Sequence, residues 1–244
     1  MAWIGTAGWN VPAAQAAFFP DAGSHLARYA AVLPAVEINT SFYRPHRPAT
    51  YARWASTVPH GFRFAVKLPR EITHDRRLED AAGPLARFLS EVAALGSALG
   101  PLLVQLPPSL RFDPRIAGPF LADLRARAPG DLVCEPRHPT WFTPEAEALL
   151  REHRIARVGA DPAVVPAGAE PGGWPGLAYW RLHGSPEMYY APYGPDRVAA
   201  YATRLRASPA PTWCIFDNTA LGHATTDALE LLRTLPGTPA RPLR

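Results

Sequence analysis

An α/β chain closed into a single (β/α)8 barrel of the TIM type is the fold that three observations predict. Eight short apolar runs recur along the 244 residues, with segments of helical character between them. Nearly every run ends in Asn, Lys, Gln, Glu, Arg, Asp or His, which marks one polar rim at the carboxyl ends of the strands. No linker interrupts the alternation, so residues 1–244 read as one domain, close to the ~250 residues usual for such a barrel.

The runs are WIGTAGW from Trp3, VEINTSFY from Val36, FRFAVKLPR from Phe62, LLVQLPP from Leu102, LVCEPRH from Leu132, IARVGAD from Ile155, LAYWRLHG from Leu177 and WCIFDN from Trp213. Helical periodicity fills the intervals from His25, Ala49, Pro84, Asp113, Thr143, Gly194 and His223. Asp113 before Pro114 and Thr143 before Pro144 each put a capping side chain ahead of a proline whose missing N–H is not needed there. One interval breaks the rhythm. From Pro162 to Gly176 the chain is too rich in Pro and Gly for a helix, so the sixth crossover helix is expected to be degenerate or absent. An open doubly wound sheet competes with the barrel, but GTAGWN lacks the GxGxxG spacing that such a sheet would carry after its first strand.

Parity assigns faces, because side chains alternate along a strand. In the second run Val36, Ile38, Thr40 and Phe42 share one face and Glu37, Asn39, Ser41 and Tyr43 the other. Phe64, Val66 and Leu68 are expected outward with Lys67 inward. Trp180 and Leu182 are expected outward with Tyr179, Arg181 and His183 inward.

Composition narrows the class. Apolar residues make up 48% and charged residues 19%, a globular balance. No run reaches the ~18 apolar residues of a spanning helix, and the start does not read as a signal peptide, so a cytoplasmic protein without a membrane partner is expected. Cys134 and Cys214 are too few for a disulfide framework or a four-cysteine zinc site and read as small core residues. The net charge of +4 favours anionic partners weakly.

The expected rim gathers Glu37, Asn39, Lys67, Gln105, Glu135, Arg137, Asp161, Arg181, His183 and Asp217. Charges so placed must pair, since an isolated buried charge costs several kcal/mol, and a purely structural ion network is one reading. Loops just beyond add Tyr43, Arg44, His46, Arg47, Arg70, His74, Arg76, Arg77, His138 and Trp141, with Tyr189, Tyr190 and Tyr193 nearby. Guanidiniums with aromatic neighbours suit a phosphate-bearing ligand. Glu135, Asp161 and Asp217, with His183, have the donor types of a divalent metal site, but no compact motif such as HExxH supports one. No cofactor is otherwise implied. Lys67 and Arg181 in the same space would favour an anion instead.

IGTAGW, VEINTSFYRP with Trp54 downstream, FAVKLPREITHDRRL, LGPLLVQLPPSL, EPRHPTWF, YWRLHG followed by MYYAPYG, and FDNTALGHATTDALEL resemble the successive blocks of the YecE-like family, domain of unknown function 72. The resemblance covers almost the whole chain in order and implies a TIM-type barrel without an established activity. The family's recurring polar positions fall on Glu37, Asn39, Lys67, Thr73, His74, Gln105, Glu135, Arg137, His138, Arg181, His183, Gly184 and Asn218. The chain departs at Ala7, where Ser is frequent, and at Asp217, where Asn is common.

An enzyme acting on an anionic, phosphate-bearing substrate, a nucleotide or nucleic acid among the options, is therefore expected. Glu135 or His183 would handle the proton and Lys67 the developing negative charge. Arg137, Arg181, Asn39, Gln105, Tyr43, Arg44, His74, His138 and Asn218 would contact the substrate. The alternatives are a lysine-dependent sugar or carbonyl lyase or isomerase acting through Lys67, and a non-catalytic module that binds nucleic acid or an acidic partner.

Overall fold

The computed structural model describes residues 2–235. Strands β1 (Ala2–Ala7), β2 (Ala35–Ile38), β3 (Arg63–Lys67), β4 (Leu99–Gln105) and β5 (Leu132–Glu135) pair in parallel in chain order. The sixth run splits into β6 (Ile155–Arg157), which pairs with β5, and β7 (Gly159–Asp161). A two-residue strand, β8 (Gly172–Gly173), lies antiparallel to β6. Strand β9 (Ala178–Leu182) pairs with β7, and β10 (Thr212–Phe216) joins β9 to β1. The split strand closes the ring: its first half belongs to β5, its second to β9, and Val158 between them donates its N–H to the Cys134 carbonyl at 2.8 Å.

Helices α1 (His25–Ala30), α2 (Thr40–Tyr43), α3 (Pro48–Thr57), α4 (Ala82–Val92), α5 (Pro114–Arg127), α6 (Pro144–Glu152), α7 (Gly194–Ala207) and α8 (His223–Thr234) follow the strands. The Asp113 side chain accepts the Arg115 N–H at 2.9 Å, and the Thr143 hydroxyl accepts that of Ala146 at 3.4 Å, so both expected caps form. The sixth crossover holds only a 3-10 turn at Pro166–Ala169 and β8. No helix among the described residues is long and apolar enough to cross a membrane.

Two apolar layers sit on either side of the wall. Val36, Ile38, Phe64, Val66, Trp180 and Leu182 pack outward against the helices, and Cys134 and Cys214 lie free among them. Ala35, Ala65, Leu103, Val133, Tyr179, Trp213 and Ile215 fill the interior. Trp213 stacks between Trp3 at 5.5 Å and Tyr179 at 5.8 Å, plugging the end where the strands begin. Glycine is required at position 100, where a Cβ would come within 2.8 Å of the Trp213 ring. With the lower interior full of rings, polar groups have room only towards the carboxyl ends.

The alternation expected through Tyr43 stops at Ile38. Residues 40–43 instead form the short turn α2, which buries Ser41 and Phe42 and leaves Tyr43 77% exposed rather than facing inward. Asp161 also departs from the expected rim. Its carboxylate accepts from Arg197 at 2.6 Å and Tyr201 at 2.9 Å, both on α7, so it anchors the helix layer.

Candidate functional site at the barrel mouth

Arg181 occupies the centre of the interior. Strand β9 aims it inward between Tyr179 and His183, and it is 1% exposed. Its Nε and Nη2 donate to the two oxygens of Glu37 at 3.0 and 2.7 Å, Nη1 donates to Glu135 at 2.5 Å, and Nη2 also reaches Asp217 at 3.1 Å. The Tyr179 hydroxyl adds a third donor to Glu37 at 3.0 Å. Burial opposes the Arg181 charge, but the Glu37, Glu135 and Asp217 carboxylates outweigh it and raise its pKa well above the ordinary guanidinium value. Arg181 was expected to bind substrate; its donors are instead spent on these carboxylates.

Above it lies a chain of three groups. His183 Nδ1 is 3.0 Å from Asp217 Oδ2, and Nε2 is 2.9 Å from Glu135 Oε1. Arg137 covers this chain, its Nη2 lying 2.6 Å from Glu135 and 2.9 Å from His183 Nε2. Burial pushes the Glu135 carboxyl up, yet Arg137, Arg181 and His183 together hold it well below the usual carboxylate range. Asp217 is lowered in the same way, burial being overcome by Arg181 and by the His183 contact. Glu135 and His183, expected to meet substrate directly, are almost fully enclosed beneath Arg137. The members of the network that reach solvent are Arg137, Asp217 and Lys67.

Lys67 differs from the other cations. Its Nζ stands 4.0 Å above the Phe42 ring, and it makes no ion pair among the described residues. Burial lowers its pKa to about 8, helped by Arg181 and resisted by Glu37, Glu135 and Asp217. The sequence carries a signal for this residue: of 25 lysines and arginines, Lys67 is the only lysine. Arginine serves every surface salt bridge among the described residues, whereas a side-chain amine that can shed its proton stands only at this position.

The remaining candidates divide by environment. His74 lies in a π-helical turn, Glu71–Asp75, a form found often at functional sites. Its Nδ1 is 2.9 Å from the Thr73 hydroxyl, and its ring meets Phe42 edge-on at 4.8 Å. Burial, Lys67 and Arg70 depress its pKa to about 4, so at neutral pH it is a neutral imidazole. Asn39 closes β2 with its carbonyl oxygen buried and unpartnered, and the Nε of Arg137 is likewise buried without an acceptor. Gln105 ends β4 half-buried, and Arg44 is exposed beside Tyr43. His138 accepts the Thr140 N–H at 3.2 Å and caps a short turn. The Asn218 amide donates to the Ala191 carbonyl at 3.0 Å and to Asp227 at 2.8 Å, while its side-chain oxygen is buried without a partner.

The expected metal trio of Glu135, Asp161 and Asp217 is not assembled. Asp161 faces α7, Glu135 is already covered by three donors, and no group of three or more His, Cys, Asp or Glu suited to a metal occurs among the described residues. A cavity of about 410 Å³ lies outside the barrel wall, between β8, β9 and the end of α7, away from these groups. A smaller one, about 190 Å³, lies beside Phe42 and Tyr43, between the α2 turn, the turn at Glu71–Asp75 and Arg87, Phe88 and Glu91 of α4.

Residues 3–243 match the family described as protein of unknown function DUF72. The protein YecE of Escherichia coli O157:H7 is 30% identical over 142 residues, which are 57% of this chain and 51% of YecE, so the match spans about half the length of that relative. The crystal structure of a DUF72 family protein from Enterococcus faecalis V583 superposes with a TM-score of 0.80 at 20% identity, covering 96% of this chain and 95% of that one. D-psicose 3-epimerase, solved in the presence of D-fructose, superposes at 0.54 with 12% identity over 85% of this chain and 83% of its own, a likeness of fold alone. On its sequence and on its TIM-type course of eight barrel strands around a polar mouth, this chain belongs to the DUF72 family.

Proposed function

We propose that the protein is an enzyme that binds an anionic, phosphate-bearing substrate at the barrel mouth and moves a proton through the Asp217–His183–Glu135 chain beneath it. The observation that carries this reading is the imbalance of donors. Both oxygens of Glu37 and of Glu135 are taken, whereas the Lys67 ammonium and the Arg137 Nε–H have no acceptor. A ligand arriving at the mouth therefore meets hydrogen-bond donors, and buried donors without acceptors are costly to leave so. An anion supplies the missing acceptors. Drawing Arg137 onto that anion would release Nε2 of His183, which the guanidinium now covers, for acid–base work.

The sole lysine makes the test direct. In protein carrying 13C at lysine Cε, Lys67 gives one signal, and its titration midpoint is expected at about 8. Inorganic phosphate should raise that midpoint, since a neighbouring anion favours the ammonium form. A midpoint near the ordinary 10.5, or a signal indifferent to phosphate and pyrophosphate, would remove the basis for an anion site.

A second reading follows from the same amine. An unpaired lysine whose pKa is lowered to about 8 can attack a carbonyl and form an imine. Borohydride reduction in the presence of pyridoxal phosphate, followed by peptide mass mapping, should then label Lys67 ahead of the α-amino group. Labelling of the α-amino group with Lys67 untouched would leave the first reading alone.

A further inference from the structure

Five large apolar side chains are exposed among the described residues: Tyr43, Val164, Tyr189, Tyr190 and Leu221. Val164, Tyr189, Tyr190 and Leu221 lie in loops that leave the carboxyl ends of β7, β9 and β10, and Tyr43 ends the short α2 turn that follows β2. Apart from the short α2 turn, the helices and the opposite face carry none among the described residues, so these exposed side chains all follow the carboxyl ends of strands. Exposed apolar groups collected on one face mark a binding surface.

Three of the five are tyrosines, and two of them adjoin the candidate site. Tyr43 packs edge-on against Phe42 at 4.9 Å, and Phe42 carries the Lys67 ammonium 4.0 Å above its ring. Tyr189 meets His183 edge-on with ring centres 5.9 Å apart. Strands β2 and β9 are three places apart in the sheet, so these rings flank the mouth from separate sides. Residues 38–70 contain no Asp or Glu, and Arg44 and Arg47 are exposed without an ion pair among the described residues, although Glu71, Asp75 and Glu91 line the hollow beside Tyr43 together with Arg70 and Arg87.

From this arrangement we infer that the mouth takes a single-stranded polynucleotide, with bases stacked on Tyr43 and Tyr189 and the intervening backbone held over Lys67 and Arg137. The inference rests on the phosphate-site reading above and extends it. Two stacking faces on separate sides call for more than one base, which a mononucleotide lacks. Unstacked bases are needed to reach the rings, which a closed duplex does not offer. Aromatic faces beside a cationic track are the general means of holding single strands, with sites of about 4–16 nucleotides.

Fluorescence anisotropy with a labelled thymidine oligomer of about twelve nucleotides tests it. Binding should fall steeply as salt rises from about 50 to 200 mM, because bound phosphates release counterions. Tyr43→Ala should weaken it about tenfold, the scale of one lost stacking contact. So should Tyr189→Asn, since asparagine tolerates the φ of 70° at that position. Both variants should keep the parent thermal midpoint and the response of the Lys67 signal to phosphate. If phosphate moves that signal while the oligomer binds no more tightly than phosphate itself, the polynucleotide is refuted and the anion site stands. Equal binding of a duplex, or oligomer binding indifferent to both tyrosine variants, also refutes it. Failure of both phosphate and oligomer to bind removes the two readings together.

Discussion

Replacing Arg181 with methionine is expected to destabilise the fold by about 3–5 kcal/mol, the usual consequence of removing one partner from a buried ionic cluster. The geometry explains why the figure should lie at the upper end. Arg181 alone touches all three interior carboxylates, Glu37, Glu135 and Asp217, and it is 1% exposed. Without it Glu37 keeps only the Tyr179 hydroxyl, and Asp217 keeps only His183. Urea denaturation with parent and variant compared at several pH values measures the loss.

The sign of the pH dependence follows from Glu135 and Asp217, both lowered in the folded protein. Their contribution is complete above the unfolded carboxylate values of about 4 and is lost as pH falls through the folded ones. In Arg181→Met the stranded carboxyls can take up protons instead, so the deficit should be greatest near neutrality and shrink towards about pH 5. A deficit below about 1 kcal/mol at pH 7 would mean that water already reaches these groups, contrary to their burial.

Much of this network was legible in the sequence because parity in a strand is rigid. Glu37, Lys67, Glu135, Arg181 and His183 follow the two-residue repeat within β2, β3, β5 and β9 or at its end, and their outward neighbours enter the apolar layer as expected. The reading failed where the strand itself stops. Tyr43 was carried past Ile38 on a repeat that the α2 turn ends. Asp161 comes at the end of a strand that changes partner at Val158, and Arg197 and Tyr201 on a distant helix decide its direction. No local pattern announces such a long-range partner. Burial of Glu135 and His183 beneath Arg137 was equally hidden, because strand spacing gives a side chain's face and not what covers it.

Lys67→Met is expected to make the protein more stable while abolishing its response to phosphate. The folded pKa of about 8 lies below the ordinary 10.5, so the native state disfavours the ammonium. Below about pH 8 both folded and unfolded chains carry the proton and the full penalty applies, on the order of 3 kcal/mol at 1.36 kcal/mol per unit. As pH rises from about 8 to 10.5 the folded chain loses its proton first, and the penalty disappears. Methionine keeps the apolar stem over Phe42 and removes the charge. The variant should therefore gain about 1–3 kcal/mol at pH 7 in urea denaturation, and the gain should fade by about pH 10. Phosphate, which should raise the parent's thermal midpoint by binding the native state, should leave the variant's unchanged. A variant less stable than its parent at pH 7 would make Lys67 a structural member of the ion network. A more stable variant that has lost phosphate would mean that this amine is kept against its own energetic cost, which is the mark of a group retained for what it binds.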